Sequence, residues 1–197
     1  MTTTLPLDAT LGAASLLHLA RTGTPQVQAA VASHPNAPAW LLGELGEQWP
    51  AEVLSNPALP LLRLADPQLL RHWPARTVER LTAQPDAPPW LLRQAASHPV
   101  IDVQLATVVH PDLPEDVLDT LGTSPFWTIR EYVARKPALS PALLQALARD
   151  VDYSVRLTVA GRPDLPQAVR HDLGRDAHPL VRAIIQLGEL SSDHNGD

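Results

Sequence analysis

Cysteine is absent from the 197 residues, which excludes disulfides, thiolate metal sites and iron–sulfur clusters. Glycine is scarce, at 9 residues, so a phosphate-cradling loop has little to be built from. Lysine occurs once against 14 arginines, the bias of a GC-rich bacterial genome. No apolar run approaches the roughly 20 residues that cross a bilayer. The opening "MTTTLPLDATLGAASLLHLARTG" has no basic residue before its short apolar stretch and carries Asp8 instead, so it does not read as a signal peptide. A cytoplasmic protein is expected. The patterns G-x-S-x-G, H-E-x-x-H and the P-loop are missing as well, and His171-Asp172 and Asp176/His178 have no nucleophile beside them. No catalytic residue, metal site or cofactor is expected, and the chain reads as non-enzymatic.

What the sequence has in excess is proline, 21 residues against a usual share of about 5 %. Leucine, valine and alanine accompany the prolines throughout, and the prolines recur in phase. The residues before one recurring Pro are His34, Asn56, Gln84, His110, Lys136 and Arg162, at intervals of 22, 28, 26, 26 and 26. A fixed period in this range is the mark of a repeat architecture, with an irregular second unit.

Two apolar registers accompany each such anchor. Seven and three residues before it lie Val27/Val31, Trp49/Val53, Thr77/Leu81, Val103/Thr107, Ile129/Val133 and Val155/Val159, and Val181/Ile185 continue the series. That i, i+4 spacing is one face of a short helix, helix A. After the anchor, Pro-bounded turns such as "HPNAP" and "RPDLP" lead to Leu41/Leu42/Leu45, Leu91/Leu92/Ala95, Val117/Leu118/Leu121 and Leu143/Leu144/Leu147, the face of a helix B. The sixth unit keeps Val169 and Leu173 but has Arg170 between them. Proline suits the first turn of a helix and blocks continuation of the one before, so here it punctuates helices. Neither helix has enough apolar surface to stand alone, and stacked neighbours would bury a continuous core.

The expected fold is therefore all-α, a solenoid of about seven paired-helix repeats of roughly 26 residues. Residues 1–24 are read as an N-terminal cap with a helix near 8–21, residues 25–190 as the repeats of the same single domain, and 191–197 as a disordered tail. The frame V-R-x-x-V-A-x-B-P-x-L-P-x-x-L-L-x-x-L-A-x-D, with B basic, is clearest in "IREYVARKPALSPALLQALARD" and "VRLTVAGRPDLPQAVRHDLGRD". Over about residues 25–188 it resembles the leucine-rich repeat variant family, a relative of HEAT-like solenoids. The resemblance implies a right-handed superhelix without β-structure. Some members carry a cysteine-bound iron–sulfur cluster, which this chain cannot hold.

The candidate site lies in the last repeats. Trp127 and Arg130 are three apart on helix A, Tyr153 and Arg156 repeat the spacing, and Pro179 and Arg182 continue it without the aromatic. Arg130, Arg156 and Arg182 should form a ladder flanked by two aromatics, with Lys136 and Arg162 adding charge at the turn behind. Arginine beside tryptophan or tyrosine is the composition of binding hot spots, so another protein with an acidic segment is the expected partner. An internal ladder to Asp150, Asp152 and Asp176 on adjoining helix ends accounts for the same arginines without a ligand. The charge distribution bears on a third reading, a nucleic-acid-binding HEAT-like solenoid. Net charge is −6 overall, which opposes phosphate binding, yet residues 124–182 carry 9 basic against 6 acidic side chains. Trp40 and Trp90, each six past an anchor, are expected to pack between repeats, and Trp49 to be structural. His34 and His110 share the anchor phase with Asn, Gln, Lys and Arg, so they read as polar turn residues and not as metal ligands.

Overall fold

The computed structural model describes residues 7–193, with side chains as far as residue 188. Among the described residues there are fifteen helices and no strand. The chain is all-α. No described helix is long and apolar enough to cross a membrane. Its contacts cluster into two compact units, Met1–Asp112 and Leu113–Asp197.

The first unit contains α1 (Ala13–Thr22), α2 (Pro25–Ala32), α3 (Ala39–Leu45), α4 (Pro50–Leu54), α5 (Leu59–Ala65), α6 (Leu69–His72), α7 (Ala75–Thr82), α8 (Pro89–Ala96) and α9 (Ile101–Val108). Helices of the A register pack on one another, α2 on α4, α4 on α7 and α7 on α9, and α1, α3 and α8 each pack against them. The second unit contains α10 (Glu115–Gly122), α11 (Trp127–Ala134), α12 (Pro141–Ala148), α13 (Tyr153–Ala160), α14 (Gln167–Leu173) and α15 (Pro179–Asp193). Here α11, α13 and α15 form one layer and α10, α12 and α14 the other. α15 runs past the expected domain end at residue 190. Of the expected disordered tail, 194–197 lie outside the described residues, as do residues 1–6 of the cap.

Both apolar registers form the core. Of the A-register residues, all are buried except Val27 and Trp49, which are half-buried. The B-register residues from Leu41 to Leu147 are buried without exception, as are Val169 and Leu173. The prolines stand where their missing N–H costs nothing. Pro25, Pro50, Pro89 and Pro141 open α2, α4, α8 and α12, and Pro38, Pro74, Pro88, Pro114 and Pro166 are N-caps.

The irregular unit has a visible cause. α4 is only five residues long, with Trp49 as its N-cap, and the extra helix α6 intervenes before α7. Trp73, which ends α6, is buried against Gly43, where an added Cβ would lie 2.8 Å from the indole Cδ1. The same close approach lets the Thr77 hydroxyl donate to the Gly43 carbonyl at 2.6 Å. Only glycine leaves room for that indole.

The helix expected near 8–21 is α1, with a later start. α1 starts at Ala13, not near residue 8, and His34 donates through Nε2 to the Asp8 carbonyl at 3.0 Å. Asp8 thus takes the place of an anchor one period before His34, and α1 is the B-type helix that follows it.

The B-register residue Leu144 is buried between layers. Leu144→Ala should lower stability by about 2–5 kcal/mol in denaturant unfolding. A loss below about 0.5 kcal/mol would place it on the wrong face.

Candidate functional site

Helices of seven or eight residues leave about half of their main-chain groups without an intrahelical partner. Two rows of side chains bond main-chain groups at these ends and, mostly, in the turns that link them, and the candidate residues belong to them. In the first row, the side chains of four anchors, His34, Asn56, His110 and Arg162, reach carbonyls one repeat back, while Gln84 donates to Arg80 of its own helix. Asn56 donates through Nδ2 to Ala32 and His34 at 2.7 and 3.0 Å, and His110 through Nε2 to Gln84 at 3.1 Å. Arg162 donates through Nη1 to Ala134 and Lys136 at 2.7 and 2.6 Å, and through Nη2 to Pro137 at 2.9 Å. In both histidines Nδ1 accepts a main-chain N–H, from Asn36 or Asp112, so Nε2 carries the proton. The ring nitrogens are occupied on both sides, and the residues are buried. They are clasps between successive repeats of the first unit, a larger role than the turn residues expected. Among the described residues no three His, Asp or Glu side chains are grouped to hold a metal ion.

The second row closes the other end of the A helices. Gln104 donates to the His98 carbonyl at 2.7 Å, Arg130 to Ser124 at 2.8 Å, Arg156 to Asp150 at 2.7 Å and Arg182 to Asp176 at 2.6 Å. Each reaches back six residues across the turn that leads into its own helix. The side chain of the residue so capped then accepts the N–H two positions on: His98 from Val100, Ser124 from Phe126, Asp150 from Asp152 and Asp176 from His178.

Two arginines are also paired forward. Arg130 meets Asp150 through Nε and Nη2 at 2.6 and 2.8 Å, and Arg156 meets Asp176 the same way at 2.7 and 3.0 Å. The pairs are largely withdrawn from water, with arginine side chains 12 % and 16 % exposed. Burial pushes the Asp150 carboxyl up, but its hydrogen bonds from Arg130 and the Asp152 N–H, with the Arg130 and Arg156 charges, leave it below the usual aspartate range. The Asp176 carboxyl is held low first by the Arg156 hydrogen bond, against a smaller cost of burial. The same bonds hold Arg130 and Arg156 above the usual arginine range.

The seven sequence candidates therefore do not form one surface. Trp127, Arg130, Tyr153, Arg156 and Arg182 lie at the N-terminal ends of α11, α13 and α15. Lys136 and Arg162 lie beyond the C-terminal ends of α11 and α13, about 12 Å away along an eight-residue helix. Arg162 is buried, and burial holds the Lys136 ammonium below the usual lysine range. Trp127 and Tyr153 are 45 % and 43 % exposed. The Tyr153 ring stacks on His178, with centroids 4.0 Å apart and planes 10° from parallel. Val151, just before α13, is 93 % exposed and extends the apolar edge. Sequence reading passed over Val151, because a turn residue belongs to neither register.

The tryptophans elsewhere divide. Trp40 projects into solvent instead of packing between units, and Trp90 is half-buried under the Arg63 guanidinium, 5.2 Å from its ring centre. Trp49 is half-buried, and its enclosed Nε1 has no hydrogen-bond partner among the described residues.

Comparison with known proteins gives no match: no family model, no curated protein and no solved structure is significantly similar to this chain.

Asp176→Ala removes both charge-assisted bonds and the acceptor for the His178 N–H, so it should cost about 2–4 kcal/mol in chemical unfolding. The ladder also sets an acid response. Asp150 and Asp176 titrate lower folded than unfolded, so their contribution is full above the ordinary aspartate range and is lost as pH falls through the folded-state values. Melting temperature should therefore drop below about pH 4, and the drop should be shallower in an Asp150→Asn/Asp176→Asn variant.

Proposed function

We propose that this chain is a non-enzymatic protein-binding or scaffold module, a right-handed α-solenoid of about seven paired-helix repeats resembling the leucine-rich repeat variant proteins, working in the cytoplasm. The observation that carries the binding role is the exposure of Trp127 and Tyr153. Each is the first residue of its helix, they are one 26-residue step apart, and α11 packs directly on α13. With Val151 between them in sequence they make an apolar edge on a packed scaffold. Aromatic side chains in such a setting are the usual anchors of protein interfaces.

The internal use of the polar side chains favours binding over catalysis. Arg130 and Arg156 are engaged by aspartates, and His34 and His110 by main-chain groups. The same pairing weakens the nucleic-acid reading, since those two guanidinium groups are already neutralised and net charge is −6.

A Trp127→Ala/Tyr153→Ala variant tests the role. Its stability should change by less than about 1 kcal/mol for each residue. Proteins captured from the native host by the unaltered chain should be lost. Unchanged capture, or salt-sensitive binding to duplex DNA, would overturn the reading.

A further inference from the structure

The arginine ladder has three rungs, and they are not alike. In the first two, one edge of the guanidinium is turned back to the chain and the other forward to a carboxylate. Nη1 of Arg156 donates to the Asp150 and Val151 carbonyls, and Nη1 of Arg182 donates to the matching Asp176 and Ala177 carbonyls at 2.6 and 3.0 Å. The backward contacts thus hold Arg182 in the pose of Arg156. The forward edge differs. Nε and Nη2 of Arg130 and Arg156 grip Asp150 and Asp176, whereas no carboxylate among the described residues pairs with Arg182.

We infer that the Nε–Nη2 edge of Arg182 is a docking point for an aspartate of a partner protein, one that leads a helix. The inference rests on the protein-binding reading above and adds to it the chemistry of one contact. The two filled rungs define the occupant. Each carboxylate is bidentate to the guanidinium, and its Oδ1 also accepts the N–H two residues on, at the turn before a helix. An aspartate in such a turn meets the fork of Arg182 with complementary charge and in a geometry that the chain itself uses twice. A glutamate, one methylene longer, could not keep the short N–H bond and the pairing together. The acidic partner expected from the sequence is thereby reassigned, from the whole ladder to its last rung.

The probe is a synthetic peptide copying residues 174–188, whose first residues carry the turn that pairs with Arg156. It is titrated to millimolar concentration into the ¹⁵N-labelled full chain while the arginine Nε–Hε resonances are followed. Those of Arg130 and Arg156 should exchange slowly from the start. That of Arg182 should shift and slow only as peptide is added. A peptide with Asn in place of the copied Asp should bind at least about tenfold more weakly, the loss expected for a charged hydrogen-bonded pair. Arg182→Gln should abolish the effect, and Arg182→Lys, which keeps charge without the fork, should weaken it, both with helical content and melting checked. The Trp127→Ala/Tyr153→Ala variant should retain it, so this result and the host-capture result fail separately. Four outcomes overturn the inference. These are equal binding of the Asp and Asn peptides, no binding at all, protection of Arg182 before peptide is added (the chain's own carboxylates then fill the edge), or perturbation of other arginines alone.

Discussion

Very short helices impose one constraint on this molecule, which is that their ends must be satisfied by something other than themselves. An eight-residue helix is marginal in water and holds few of its own hydrogen bonds. Apolar burial through the A and B registers supplies the drive to associate, but it does nothing for carbonyls at the helix ends. The clasps of Asn56 and Arg162 reach the last residues of α2 and α11, and those of His110 with the reach-back bonds of Gln104, Arg130, Arg156 and Arg182 fix the turns just beyond the helices. Each joins a unit to its neighbour or fixes the turn between them, so the polar bonds follow the same period as the core.

This constraint explains why the anchor position tolerates such different residues. Asn, His and Arg each present an N–H that reaches a carbonyl one repeat back, whereas Gln84 turns its amide to the Arg80 carbonyl of its own helix. A carboxylate has no such N–H: Asp8 offers its main-chain oxygen to His34, and its carboxylate accepts from Thr10.

Much of the core was legible in the sequence because a period of 26 carries the apolar phase from unit to unit, down to the replacement of an aliphatic residue by Thr107. The ladder was half legible: Asp150, Asp152 and Asp176 stand on helix ends adjoining the arginines, and of these Asp150 and Asp176 pair with them while Asp152 accepts the Ser154 N–H. The exposure of Trp127 and Tyr153 followed from the binding reading and the pairing of the arginines from the internal one, and both hold because first-turn positions belong to neither buried register. Trp40 misled for a related reason. Standing next to a Leu-Leu pair says little about a side chain's direction, because each helical step turns it by about 100°. Asp8 escaped notice because no proline follows it, so its phase lacked the marker that revealed the others.

The clasps also bear on how the protein comes apart. Those that join one unit to another link residues no more than 28 positions apart in the chain, and the arginine–aspartate pairs link residues only 20 apart. Closing such small loops is entropically cheap, so assembly has little need to wait for distant segments to meet. Disruption is correspondingly local: loss of one clasp frees the helix ends beside it and leaves the next clasp intact. Amide protection should therefore be graded along each unit, low at its outer helices and high where a helix is held on both sides, instead of uniform across a single cooperative block.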